Sequence, residues 1–246
     1  MKKFLALFLA LMLTMAFVSC GEKEDINAKS EGSMTYAEYD AAAVDSAVVV
    51  EGYVQAKRSW WQDKVTFFIQ DGDGAYFIYD AACTEADYNS KLTVGTKVKV
   101  SGVKAAWEGE VEVIEGTIEY LDGKYTAEAE DVTALLADTD NLIKKQNKFV
   151  SFKGMTVEAS KDADGNDAAF LYNWDGSGAE GDDIYFNVSV NGATYTFALE
   201  SYLTGKDTEV YKAAQALKVG DKIDLEGFLY WYQGPQPHIT SIAAAK

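Results

Sequence analysis

The sequence predicts an all-β chain with short helices: two tandem five-stranded barrels joined by a helical connector. Two observations carry that reading. The first is a phrase used twice, Leu92-Thr-Val-Gly-Thr-Lys-Val-Lys-Val-Ser-Gly102 and Leu217-Lys-Val-Gly-Asp-Lys-Ile-Asp-Leu-Glu-Gly227, identical or aliphatic-for-aliphatic at seven of eleven positions. Apolar residues at every second place after a glycine read as a turn feeding a half-buried strand. The second is that the same order of elements, three strands, a helix and two strands, surrounds each copy.

In the first module, Ala47 to Val54 and Val65 to Gln70 alternate as strands, and Asp71-Gly72-Asp73-Gly74 turns the chain into a third, Ala75 to Tyr79. A helix starts at Thr84-Glu-Ala-Asp87 and runs to about Leu92. The repeated phrase supplies strand four, Lys97 to Val103, and Glu110 to Tyr120 strand five. Ahead of them, Thr35-Tyr-Ala-Glu38 has capping-box spacing and predicts a short helix from Tyr36 to Val44. The second module repeats the plan with Phe149 to Val157, Ile184 to Val190, an Asn191-Gly192 hairpin, Thr194 to Leu199, a helix from Thr208 to Leu217 and the second phrase. Its extra length falls in Glu158 to Asp183. Leu135, Leu136 and Leu142 give residues 129–148 a helical pattern, read as a connector docked on one barrel.

The N-terminus predicts an address. Lys2 and Lys3 precede an uncharged stretch from Phe4 to Phe17 and then Val18-Ser19-Cys20-Gly21. The apolar run is shorter than the ~20 residues of a spanning helix, so it reads as a secretory signal. It resembles bacterial lipoprotein signals, which implies lipidation at Cys20 and a protein held outward on the cell membrane or in the periplasm; Phe17 departs from the aliphatic residue usual three places before the cysteine. The chain thus divides into a signal peptide (1–19), a flexible polar tether (20–33), a first barrel with its N-terminal helix (34–128), the connector (129–148) and a second barrel with an insertion (149–246).

Composition limits the function. The formal charge is −17 with a single arginine, Arg58, and loss of Lys2 and Lys3 with the signal makes it more negative. A polyanion held through its phosphates needs clustered Lys and Arg. Nucleic acid is therefore disfavoured unless Lys57, Arg58, Lys97, Lys99 and Lys104 form a basic strip; an uncharged Trp platform would favour sugar or peptide. With Cys20 lipidated, Cys83 has no disulfide partner.

A five-stranded barrel with its helix between strands three and four is the OB fold. Val65-Thr-Phe-Phe-Ile-Gln-Asp-Gly-Asp-Gly-Ala-Tyr-Phe-Ile-Tyr79 and the two Leu-x-Val-Gly phrases resemble the OB modules of the nucleic-acid-binding superfamily, as found beside secreted bacterial nucleases and in tandem in bacterial surface lipoproteins. The resemblance covers about residues 47–120 and 149–243 and implies the barrel, not the ligand, since one fold hosts many functions.

OB barrels take ligands between the loops joining strands one to two and four to five. Trp60 and Trp61 fall in the first such loop of module one, Trp107 in the second, and Trp231 with Tyr232 in the second loop of module two. Indole faces suit stacking on a sugar, base or peptide side chain, and these five residues are the candidate ligand contacts; the alternative is that they cap the barrels or pack between the modules. Asp162-Ala-Asp-Gly-Asn-Asp167 begins like a calcium loop but lacks its glycine and glutamate positions, so no metal site is expected. His238 is the only histidine and reads as structural, Cys83 as a small buried residue, and neither a catalytic set nor a cofactor is expected. The sequence reading is a non-catalytic, lipid-anchored scaffold for an oligosaccharide, peptide or protein partner. Its alternative is a surface nucleic-acid-binding protein linked to scavenging, and a hydrolase is third.

Overall fold

The computed structural model describes residues 25–245. The signal segment, Cys20 and the first residues of the tether lie outside the described residues.

Both modules close into barrels. In the first, β1 (Ala47–Lys57), β2 (Lys64–Gln70), β3 (Ala75–Ala82), β4 (Thr96–Trp107) and β5 (Glu110–Lys124) close in the order β1-β2-β3-β5-β4. The second is built from β6 (Phe149–Glu158), β7 (Ile184–Val190), β8 (Ala193–Leu199), β9 (Lys222–Phe228) and β10 (His238–Ala244). β6 pairs with β7 and β9, β7 with β8, and β9 with β10; β8 and β10 close the ring in parallel, as β3 and β5 do in the first barrel. Every main strand thus has a partner on both sides, with β8 and β10 meeting at Ala198 and His238.

The helices follow their caps. Thr35 and Glu38 form the capping box of α1 (Tyr36–Ala41). Thr84 caps α2 (Glu85–Ser90), and Thr208 caps α4 (Glu209–Gln215), each hydroxyl accepting an N–H three residues on. The connector is helical but broken into a 3-10 turn (Thr133–Ala137), α3 (Thr139–Leu142) and a second 3-10 turn (Ile143–Lys145). Its Leu136 and Leu142 are buried in the second barrel's core.

Each barrel has its own core, and a third cluster joins them. Phe67 of β2 points into the first barrel while its neighbour Phe68 points out, and Phe77 of β3 points out beside it. Phe68 stacks on Phe228 at 4.3 Å between ring centroids, and Phe77 meets Tyr230 edge-on at 5.4 Å. Polar fasteners surround this cluster: Arg58 pairs with Glu200 at 2.9 Å, and the Ser59 N–H donates to Tyr202 O at 2.8 Å. The outer face of β2 and β3, where an OB barrel takes its ligand, is thus covered in module one by module two.

From Asp25 onward the segment read as a flexible tether is fastened to the first barrel. Asn27 donates to Asp73, Lys29 pairs with Asp71, and Ser30 and Ser33 donate to Glu51. Polar composition alone predicts a segment that does not order. The carboxylates of Glu51, Asp71 and Asp73 supply the acceptors that order this segment.

Candidate functional site

In the second barrel the ligand face is open. There Trp107, Trp174, Tyr185, Tyr230, Tyr232, Gln236 and His238 line a cleft of about 540 Å³. Local geometry places each of them. Trp107 ends β4, and a two-residue hairpin with positive φ at Glu108 (51°) and Gly109 (97°) turns the chain back into β5. The hairpin tip docks on module two, where the Gln233 N–H donates to Glu108 O at 2.7 Å and Gln233 Nε2 to Glu108 Oε2 at 2.9 Å. Gly109 lies against the Trp231 indole so closely that a Cβ would fall 2.7 Å from Trp231 Cδ1. This docking carries Trp107 from the first barrel to the cleft of the second.

The loop after β9 contributes by alternation. Tyr230, Trp231 and Tyr232 run through a narrow turn bridged at Trp231 and Pro235, so successive side chains take opposite sides. Tyr230 and Tyr232 face the cleft; Trp231 turns into the second core and is 8% exposed. Trp174 comes from the insertion between β6 and β7, just after Leu171–Tyr172 pairs with β7, and is 76% exposed.

Of the five residues proposed from sequence, the structure brings Trp107 and Tyr232 together. Trp231 is a packing residue, the alternative already open for it. Trp60 and Trp61 lie outside the cleft: Trp60 Nε1 donates to Cys83 O at 2.8 Å, while Trp61 is exposed beside a tight turn at Gln62 and Asp63. Sequence reasoning missed Trp174, Tyr185 and Gln236, and took His238 as structural. A tryptophan in the loop joining the second module's first two strands was the available signal for Trp174.

The electrostatics of the seam beneath the cleft are unusual. His238 is buried and stacks on Tyr230 at 4.3 Å; burial, and then the nearby Arg58 charge, hold its pKa well below the ordinary value, so the ring is neutral. Glu110 is fully buried, its Oε2 accepting the Trp231 N–H at 2.9 Å, and burial raises its pKa well above 4.5. Its carboxyl stays protonated as pH rises past the point where an unfolded chain would ionise. Below about pH 4.5 both states hold the proton; above it the unfolded state releases a proton the fold retains, so stability declines with rising pH until the folded pKa is passed. Glu110→Gln cannot ionise. The variant is expected to match the parent near pH 4 and to melt higher at pH 8, by about 2–4 °C per kcal/mol of relief. An equal gap at both pH values would remove the assignment.

The basic strip does not form. Lys57 donates to Tyr88 O, Arg58 pairs with Glu200, Lys97 with Glu51, Lys99 donates to Ser30 and Glu31, and Lys104 to three carbonyls at the end of α1. Burial raises the Cys83 thiol pKa, so the thiol is not activated. Asp162 accepts the N–H groups of Asp164 and Asn166 and serves its own turn, and among the described residues no group of three His, Cys, Asp or Glu is placed to hold a metal ion.

No protein-family model matches the chain, and no curated protein does. Among solved structures it is similar to a murine DNA-binding protein bound to double-stranded DNA (TM-score 0.38, 12% identity, 80% of this chain and 96% of that one). It is similar also to the HINa domain of Ifi202 in complex with 20-bp double-stranded DNA (0.35, 12%, 82% and 100%). A third match is a replication protein A heterotrimer bound to single-stranded DNA (0.32, 10%, 84% of this chain and 51% of that one). Likeness at this level concerns the fold, two barrels of OB type in tandem. The expectation of a scaffold for an oligosaccharide, peptide or protein is corrected here: the proteins matched are described as DNA-binding, as in the alternative reading, and not as scaffolds of that kind.

Proposed function

We propose that this chain is a non-catalytic protein that binds single-stranded nucleic acid through its unpaired bases, in the aromatic cleft of the second barrel. The observation that carries the reading is the convergence of Trp107, Trp174, Tyr185 and Tyr232 where an OB barrel takes its ligand. Flat aromatic faces stack any base, and the stacking is worth ~1 to 3 kcal/mol per base. Phosphates are poorly served, because Lys57, Arg58, Lys97, Lys99 and Lys104 are engaged by the protein's own groups and the chain carries −17. The mode is therefore base-led, with moderate affinity and a shallow dependence on salt.

Tryptophan fluorescence with short single-stranded oligonucleotides tests this. Trp107→Ala and Trp174→Ala should each weaken binding by ~1 to 3 kcal/mol. Both side chains are largely exposed, so the thermal melts should hardly move. Absence of binding at millimolar nucleotide would overturn the reading, as would binding that neither variant weakens.

A further inference from the structure

We infer that the cleft selects among bases, preferring adenine, and that Gln236 and His238 read the base edge. The inference rests on the base-stacking proposal and on one further observation. His238 is 4% exposed, lines the cleft, and its Nδ1 is buried with no hydrogen-bond partner among the described residues. Buried polar atoms are almost always paired, and those that are not call for an explanation. A ligand seated in the cleft supplies one. His238 is also held in place: it opens β10, lies opposite Ala198 and Phe228, and its ring is sandwiched against Tyr230.

The chemistry of this wall is neutral. An uncharged imidazole offers one donor and one acceptor, and Gln236 beside it presents an amide N–H₂ next to a carbonyl. The Gln236 backbone N–H is used by Tyr230 O at 3.0 Å, which holds the loop while its side chain makes no hydrogen bond to the described residues. Such a wall suits a base edge more than a phosphate. A glutamine amide matches adenine, whose N6 donor adjoins the N7 acceptor, whereas guanine and hypoxanthine place two acceptors there. Between adenine and the pyrimidines, the larger purine face gains more from Trp107, Trp174 and Tyr232.

Hexamers of deoxyadenosine, deoxyinosine and deoxythymidine separate the terms, with binding followed by fluorescence. Inosine keeps the purine face and replaces the N6 donor by an acceptor, so the adenine hexamer should bind roughly tenfold more tightly, the discrimination of one good paired contact. Gln236→Leu should collapse that ratio by weakening the adenine hexamer more than the inosine hexamer; His238→Phe, which keeps a stacking ring, should reduce it. Equal affinity of the parent protein for the adenine and inosine hexamers would overturn this inference and leave base stacking standing. Failure of all three hexamers to bind would overturn both.

Discussion

Glu51→Ala is expected to destabilise the protein by ~3 to 5 kcal/mol, the cost of removing one partner of a buried ion pair. Glu51 sits on β1 with 0% of its surface exposed, and its Oε1 pairs with Lys97 Nζ at 2.9 Å. Its Oε2 accepts the Ser30 N–H at 3.0 Å, the Ser30 hydroxyl at 2.7 Å and the Ser33 hydroxyl at 2.9 Å. Burial alone would raise the carboxyl pKa, but these donors outweigh it and hold it at about 2. The alanine variant leaves the Lys97 ammonium inside with its carboxylate gone and frees the segment before α1. Because the folded pKa is depressed, the carboxylate's contribution is complete above the ordinary value of 4.5 and is lost as pH falls toward 2. Urea melts of parent and variant should therefore differ most near neutrality and draw together as pH falls from 4.5 toward 2. A constant gap over that range would mean that lost packing, not charge, is the cause.

Much of the fold could be read from local chemistry. The Thr35–Glu38 spacing placed α1, and Asn191-Gly192 placed the β7–β8 hairpin, with φ of 53° and 82° at the two turn residues. What escaped was contact between distant parts. Phe67 and Phe68 are both apolar, and nothing local says that one faces the first core while the other faces a second barrel; two adjacent buried aromatics were the available hint. The cleft escaped in part for the same reason. Trp107 belongs to barrel one by sequence and to barrel two's ligand face by position, a transfer made by the Glu108–Gln233 contacts. Trp231 and Tyr232 are neighbours, so only the phase of one turn decides which is core and which is cleft.

The repeated phrase carries the other large prediction, because both copies end in a glycine that the fold requires. Gly102 and Gly227 sit at register shifts, between Ser101 and Val103 on β4 and between Glu226 and Gly227 on β9. At these bulges the fourth strand passes closely over the fifth as the latter bends to pair with the third. A Cβ on Gly102 would lie 2.5 Å from Ile114 O and 2.7 Å from Val113 Cγ1; one on Gly227 would collide with His238 O and lie 2.8 Å from Ile239 Cα. Neither glycine has positive φ, so close approach of backbone is what excludes a side chain. Obstruction by backbone cannot be relieved by rotating a side chain. Each Gly→Ala change is thus expected to cost at least the ~1 to 3 kcal/mol typical of overpacking. The two should differ in function: Gly102→Ala strains the first barrel away from the cleft, whereas Gly227→Ala pushes on His238 itself. Oligonucleotide titration well below both melting temperatures should find binding kept in the first variant and weakened in the second. Equal binding by both would show that the position of His238 does not matter to the cleft.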